Sequence, residues 1–475
     1  MHFKELKEIQ TAIAARQINI STIVDYYLSE IKKKNADLNA FLSIFDKEAK
    51  EQAELLDQKI LNGEPVGKLA GLVLGIKDNL CYKNHTVGAA SKILDGFISQ
   101  ITATAIANLI AEDAIIIGRL NCDEFAMGAS NENSAKGAVK NAANRDYVPG
   151  GSSGGSAVAV QAGMCFASLG SDTGGSIRQP ASFCGLVGSK ATYGKISRWG
   201  LLAYASSFDQ IGALTQTVQD NALLTQIMAG HDPKDATSSK KEIENYYPIK
   251  PIEKVKKIAI FPSFLNANGL DPQIKESTLA LIKQLKNLGH EIIEVDFPYL
   301  DYMVPCYYAL TTAEASSNLS RYNGLTFGYR SKASTDLEST FKKSRTEGFG
   351  AEVKRRIMLG TFVLSSNHYD AYYTKAQKVR RLIQDKTNEI LSKNDYIIMP
   401  TTSTPAFKIG EKSKDPIAMY LADLYTVQAN LTGHPAISVP LGVNKILNLP
   451  FGIQIIGAHH QEKELFQFAK YLETI

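Results

Sequence analysis

The chain has 475 residues, 44% of them apolar and 21% charged, with a formal net charge of +4. That is an ordinary soluble globular composition with ample core material, enough for one large α/β domain or two to three smaller ones. So small a charge speaks against a protein that coats nucleic acid. No apolar run approaches the length of a membrane span. Five scattered cysteines (Cys81, Cys122, Cys165, Cys184 and Cys306), with no C-x-x-C, fit a reducing compartment and neither a disulfide framework nor a zinc site. The opening MHFKELKEIQ has no apolar h-region. A cytoplasmic enzyme is expected.

In chain order, the first sixty residues predict helices. Phe3, Leu6, Ile9 and Ile13 share one helical face. Ser21 is the expected cap of a second helix, with Val24, Tyr27, Leu28 and Ile31 on its apolar face. A third, polar helix runs to about Leu61 and stops at Asn62-Gly63. Strand signals begin with GLVLGIK over 71–77, followed by a helix over 105–111 and a strand over 114–118. A small-residue helix over 157–163 and a buried strand in CFASLG come next. The charged, turn-rich stretch 230–257 reads as a surface excursion between two parts of one fold. Asp271 is an N-cap with Pro272 in the first helical position, and that helix ends at Gly289. The runs EIIEV, YIIMP, AISVP and GIQIIG follow. Short, β-branched and non-alternating, they predict buried strands of a mixed sheet flanked by helices, an α/β fold.

The stretch VPGGSSGGSAVAVQAGMCFASLGSDTGGSIRQP, from Val148 to Pro180, carries the chemistry. A flexible linker would lack its apolar middle. A P-loop would need G-x-x-x-x-G-K-[ST], and no lysine follows these glycines. Gly150 to Gly154 matches the G-x-S-x-G nucleophile elbow, but Pro149 makes a poor end to the strand that motif requires. An elbow also needs a histidine base. His434 lies between Gly433 and Pro435, where it shapes a turn, and His459 is the other candidate.

The second cluster reads differently. In SDTGGSIRQP, Gly174 and Gly175 let the backbone turn so that neighbouring N–H groups converge beside Ser176. Such donors form an oxyanion hole where a tetrahedral intermediate develops charge. A serine hydroxyl attacks only when a base takes its proton. Without a convincing histidine, a buried lysine of depressed pKa is the alternative, and GIKDN supplies Lys77 after a strand.

The run from GGSSGGSAVAV to GSDTGGSIRQPASFCG resembles the amidase signature family, which uses a Ser–cis-Ser–Lys triad. The resemblance implies that Ser176 is the acyl-forming nucleophile, Ser152 the relay serine in a cis peptide, and Lys77 the base. The backbone of Thr173, Gly174, Gly175 and Ser176 would form the oxyanion hole. Ser153 is the neighbour most easily mistaken for the relay. The implied fold is a single large domain over 1–475, a mixed central β-sheet covered by helices. It would comprise a helical region over about 1–62 and a signature core over about 66–215.

DEFAMGASNENSAKG, SRWGLLAYASSFDQIG, EVKRRIMLGTFVLS and DLYTVQANLTGHPAISVPLG resemble a narrower branch, the glutaminase subunits of tRNA-dependent amidotransferases. That resemblance implies a chain that releases ammonia from glutamine within a heterotrimer completed by B and C subunits. A partner subunit would use ATP and Mg²⁺ to amidate glutamate, aspartate or both on charged tRNA. No metal or cofactor is expected in this chain. Arg356, not its neighbour Arg355, matches the carboxylate-binding arginine, and Asp423 the acid for the substrate ammonium. Asp123, Glu124, Met127 and Ser130 match the loop lining the pocket and ammonia route. Ala142, Ala143, Ala191 and Asn323 depart from the usual pattern. The alternative activity is a stand-alone amidase acting on small amides.

Overall fold

The computed structural model describes residues 3–412 and 416–475. Among the described residues, eleven strands form one sheet: β1 (Phe41–Ile44), β2 (Val73–Lys77), β3 (Ile115–Leu120), β4 (Ala167–Asp172), β5 (Val187–Lys190), β6 (Gln210–Thr215), β7 (Lys257–Ile260), β8 (Glu291–Glu294), β9 (Tyr396–Pro400), β10 (Ala436–Asn444) and β11 (Leu449–Gly457). Their spatial order is β1-β3-β2-β4-β6-β5-β10-β11-β9-β7-β8. The pairs β3/β2, β2/β4, β9/β7 and β7/β8 are parallel, and the remaining neighbours are antiparallel. Helices cover the sheet, so this is the mixed α/β architecture expected.

The N-terminal helices Leu6–Ala14, Ile20–Leu38 and Asp46–Leu61 bury Leu6, Ile9, Ile23, Val24 and Leu56 in an apolar cluster that also takes in β2, β3 and β4. The cap of the second helix is Asn19, not Ser21. The Asn19 side chain accepts from Thr22 N–H at 2.8 Å, and starting the helix at Ile20 buries that residue. Ser21 lies inside the helix and donates to Asp57 at 2.6 Å. Nor is this region wholly helical. β1 interrupts it, four residues long and antiparallel to β3, too short to show a period.

EIIEV also departs from expectation. β8 is the outermost strand, hydrogen-bonded to β7 alone, and Glu291 and Glu294 face solvent with Ile293 38% exposed. Its apolar content reads as buried, yet its place at the edge leaves it covered on few sides. Asp271 does cap the helix Pro272–Asn287, accepting from Gln273 N–H at 2.9 Å. The stretch 230–257 is anchored at its start. Asp232 accepts from Thr104 and Ser197, at 2.6 and 2.7 Å, and Asp235 pairs with Arg198.

Two features of this frame place the site. β2 and β4 run side by side in parallel, with Ile76 opposite Leu169, so Lys77 and Ser171 end on the same edge of the sheet. Ligand sites of α/β sheets gather at these carboxyl ends. The helices Gly154–Gln161 and Arg178–Cys184 start there as well, and both are almost wholly buried. On the other side, a second apolar cluster packs Leu300–Asn318, Ala351–Leu364 and Lys375–Lys393 against one another and against β7 and β9. Among the described residues, no helix is long and apolar enough to cross a membrane.

Candidate active site

Lys77 closes β2 with no exposed surface. Its Nζ lies 2.7 Å from Ser152 Oγ, 2.8 Å from Ser153 Oγ and 2.9 Å from Ser171 Oγ. Burial pushes its pKa down to about 8, against the pull of nearby Cys122 and Asp123. A neutral amine has two N–H bonds and one lone pair, and its surroundings decide which hydroxyl meets which. Ser153 Oγ donates its own proton to the Ser171 carbonyl at 3.1 Å, and Ser171 Oγ accepts from the Asn79 amide at 2.9 Å. Ser153 Oγ, its proton spent, therefore suits the role of acceptor to Lys77, and of the two adjacent serines it is Ser152 whose hydroxyl is left to face the lone pair. This separates Ser152 from Ser153 although both touch the amine. The Gly151–Ser152 peptide bond is cis, and the Ser152 carbonyl accepts from Asp123 N–H at 3.1 Å.

Ser176 sits on the loop between β4 and the helix Arg178–Cys184, with 8% of its surface exposed. It is joined to the relay segment through its carbonyl, which accepts from Ser153 N–H at 3.2 Å. The loop is held from below by Asp172, which Arg178 grips with two bonds of 3.0 Å and Asn430 with one of 2.9 Å. Burial alone would raise the Asp172 carboxyl. Arg178 and Asn430 reverse this and hold it far below the usual carboxylate range. Arg178 also reaches Thr426 O, Asn430 and Gln454, tying the loop to the helix Val427–Thr432 and to β11. Gly175 has φ +125°, and a Cβ there would lie 2.2 Å from Thr426 Oγ1, so only glycine fits.

One expectation about the loop needs correcting. The Gly175 N–H turns inward and donates to Asp172 Oδ1 at 2.8 Å, so that donor is committed to the fold. Thr173 is held by its hydroxyl, which donates to buried Asp209 at 2.6 Å. The Gly174 carbonyl accepts from Thr426 Oγ1, also at 2.6 Å.

Arg356 and Asp423 come from distant segments and meet across tyrosines. Arg356, on Ala351–Leu364, is 3% exposed; it donates to Glu352 at 2.8 Å and to Tyr204 Oη at 2.9 Å. Its guanidinium lies over the rings of Tyr204, Tyr308 and Tyr420, 5.2 to 5.6 Å from their centroids. Tyr308 stacks on Tyr420 and donates its hydroxyl to Asp423 at 2.7 Å. Burial pushes the Asp423 carboxyl up to about 7. Three residues on, Thr426 holds the nucleophile loop and so ties the Asp423 segment to it. Arg355 points away to solvent, paired with Glu352.

The remaining predicted residues divide. Ser130 is 1% exposed, its backbone packs against Gly151, and its hydroxyl has no hydrogen-bond partner among the described residues. Asp123 turns its carboxylate onto the N–H groups of Asn131 and Asn133, at 2.9 and 3.0 Å. Met127 is fully buried among apolar side chains of the second cluster, with Phe125 and Phe349. Glu124 is buried against Ser91 and Gly350. His434 stacks on His459 at 3.8 Å between centroids and bonds Thr432, among residues that hold none of the serines. Sequence reasoning missed Asn79, Ser171, Asp172, Arg178 and the three tyrosines. The Asp172–Arg178 pair stands in the quoted motif, where a charged pair around two glycines was a usable signal. The tyrosines had none, being brought in by segments far along the chain.

This geometry is that of a serine-dependent amidase. A family model described as Amidase matches residues 22–466, and the chain belongs to that family. Within it, the chain is 48% identical to the A subunit of glutamyl-tRNA(Gln) amidotransferase from Koribacter versatilis, over 97% of this chain and 96% of that one. It is 47% identical to the protein of the same name from Chlorobaculum parvum, over 100% and 98%. The crystal structure of the Thermotoga maritima protein, again the A subunit of glutamyl-tRNA(Gln) amidotransferase, superposes with a TM-score of 0.76 at 38% identity, covering 96% of this chain and 94% of that one.

Proposed function

We propose that the chain is the glutaminase subunit of a tRNA-dependent amidotransferase, with Ser176 as nucleophile, Ser152 as relay and Lys77 as base. The observation that carries this reading is the buried Lys77–Ser152 contact of 2.7 Å, together with Arg356 and Asp423 brought together through Tyr308. Glutamine presents an α-carboxylate and an α-ammonium, and a plain amide presents neither. The Arg356 fork suits the carboxylate and Asp423 the ammonium. Arrival of that cation draws the raised Asp423 carboxyl back to its ionised form.

With the side-chain amide carbon over Ser176, the neutral Lys77 amine takes the Ser152 proton as Ser152 takes that of Ser176. The Ser176 oxygen bonds to the carbon. Backbone N–H groups of Thr173, Gly174 and Ser176 serve the oxyanion, since the Gly175 N–H is spent on Asp172. The proton returns through Ser152 to the leaving nitrogen, the C–N bond breaks, and ammonia departs. Water, activated by the same relay, then hydrolyses the γ-glutamyl ester on Ser176. No step requires a metal or cofactor of this chain. In the proposed assembly, a cytoplasmic heterotrimer with B and C subunits, a partner would use ATP, Mg²⁺ and the ammonia to amidate Glu-tRNA(Gln), Asp-tRNA(Asn) or both.

The test is purification of the chain with its partner subunits, followed by assay of glutamine-dependent amidation of charged tRNA. Ammonia release from glutamine and from propionamide would be compared in parallel. Efficient partner-free hydrolysis of propionamide, with glutamine a poor substrate, would establish the stand-alone amidase instead.

A further inference from the structure

Glu124 is a buried carboxylate with no part in the proton relay. It belongs to the Asp123–Glu124 dipeptide, whose two halves face opposite parts of the site. Asp123 N–H holds the Ser152 carbonyl at 3.1 Å. Glu124, 2% exposed, holds the start of the helix that carries Arg356: its Oε2 accepts from Gly350 N–H at 2.8 Å, and Gly350 is the N-cap residue of Ala351–Leu364. Its Oε1 accepts from Ser91, whose hydroxyl also reaches the Gly348 carbonyl at 3.4 Å. The approach is so close that a Cβ on Gly350 would lie 2.3 Å from Glu124 Oε2. Gly350 offers no side-chain cap of its own, so an acceptor from elsewhere must serve the start of this helix. The Glu124 carboxyl oxygen is such an acceptor.

We propose that Glu124 is a positioning residue for substrate recognition: by capping Ala351–Leu364 from the segment that follows β3, it fixes where Arg356 stands relative to Ser152. Arg356 lies within two turns of the capped end, and its fork must meet a carboxylate with the amide carbon already over Ser176. Without the cap, the first turn frays and Arg356 moves, while Lys77, Ser152 and Ser176, on other elements, keep their places. The inference rests on the reading of Arg356 as the glutamine α-carboxylate ligand.

The test uses the complete amidotransferase, with Glu124→Ala, Glu124→Gln, Ser91→Ala and the control Arg356→Lys. Ammonia release is followed on glutamine and on propionamide, which has no carboxylate for Arg356. Glu124→Ala is expected to raise KM for glutamine about tenfold with kcat within about threefold, the range a lost cap gives. Its kcat/KM on propionamide is expected to stay within about twofold of the parent. Glu124→Gln keeps an acceptor for Gly350 and a partner for Ser91, so it should restore KM to within about threefold. Ser91→Ala should raise KM about threefold, and it informs the proposal even should Glu124→Ala fail to fold. Equal losses on both substrates, or a glutamine KM unmoved in Glu124→Ala and Ser91→Ala alike, overturn the proposal. A glutamine KM unmoved by Arg356→Lys would instead overturn the reading of Arg356, whatever the Glu124 variants do.

Discussion

The relay and the recognition region are built from opposite materials. The relay is backbone and small side chains. Lys77, Ser152, Ser153 and Ser171 have no more than 1% of their surface exposed, held by strand ends and a glycine-rich loop. The recognition region is aromatic and helical. Tyr204, Tyr308 and Tyr420 clamp Arg356 by their rings, and Tyr308 passes to Asp423. The first keeps water from an amine that must be neutral. The second orients a charged substrate and can be partly open, as half-buried Tyr420 and Asp423 are. Damage to the first should therefore appear in kcat and damage to the second in KM.

The strongest way to break this comparison is at the nucleophile. Ser176→Ala should lower kcat on glutamine by about 10⁴-fold or more, and mass spectrometry should find no covalent acyl adduct. An adduct on another residue would end the assignment. Lys77→Met should lower kcat by about 10³-fold with KM little changed, since it removes only the base. Beneath the loop, Arg178→Met leaves Asp172 buried and unpaired, so chemical denaturation should show a loss of about 3–5 kcal/mol. Unchanged stability would mean the loop is held by other contacts. Arg356→Lys should raise glutamine KM about 10- to 100-fold with a smaller change in kcat, because an ammonium cannot reproduce the fork. A change in kcat alone would erase the distinction between the two regions.

The mildest test is pH. Lys77 is depressed to about 8, so it is protonated and inactive as a base below that value. Glutaminase kcat should rise about tenfold per pH unit up to near pH 8 and then level off. Asp423, raised to about 7, should add a rise in KM as pH falls through 7, absent for propionamide. A kcat flat between about pH 6 and 9 would rule out Lys77 as the titrating base.

The fold and the site were legible in the sequence to different depths. Asp271 and Pro272 mark their helix start because a cap acts within one turn, and the fully buried strands show as apolar runs for the same local reason. Ser21 and EIIEV misled because a cap two residues away served better and because an edge position is invisible in a strand's composition. Within the site, the glycine and serine spacing of 148–180 marked the nucleophile loop, since conformational freedom and hydroxyl chemistry belong to the residues themselves.

What the sequence determined by itself was thus a chemical vocabulary: two glycine-rich clusters, the hydroxyls of Ser152 and Ser176, a lysine after a strand, an arginine and an aspartate far away. Only the tertiary structure decided that Lys77 loses water and meets three hydroxyls. It alone turned the Gly175 N–H onto Asp172 and gathered three tyrosines around Arg356. The physical reason is distance along the chain. A depressed amine and an aromatic clamp depend on burial by segments tens to hundreds of residues apart, and no local pattern records which segments will meet.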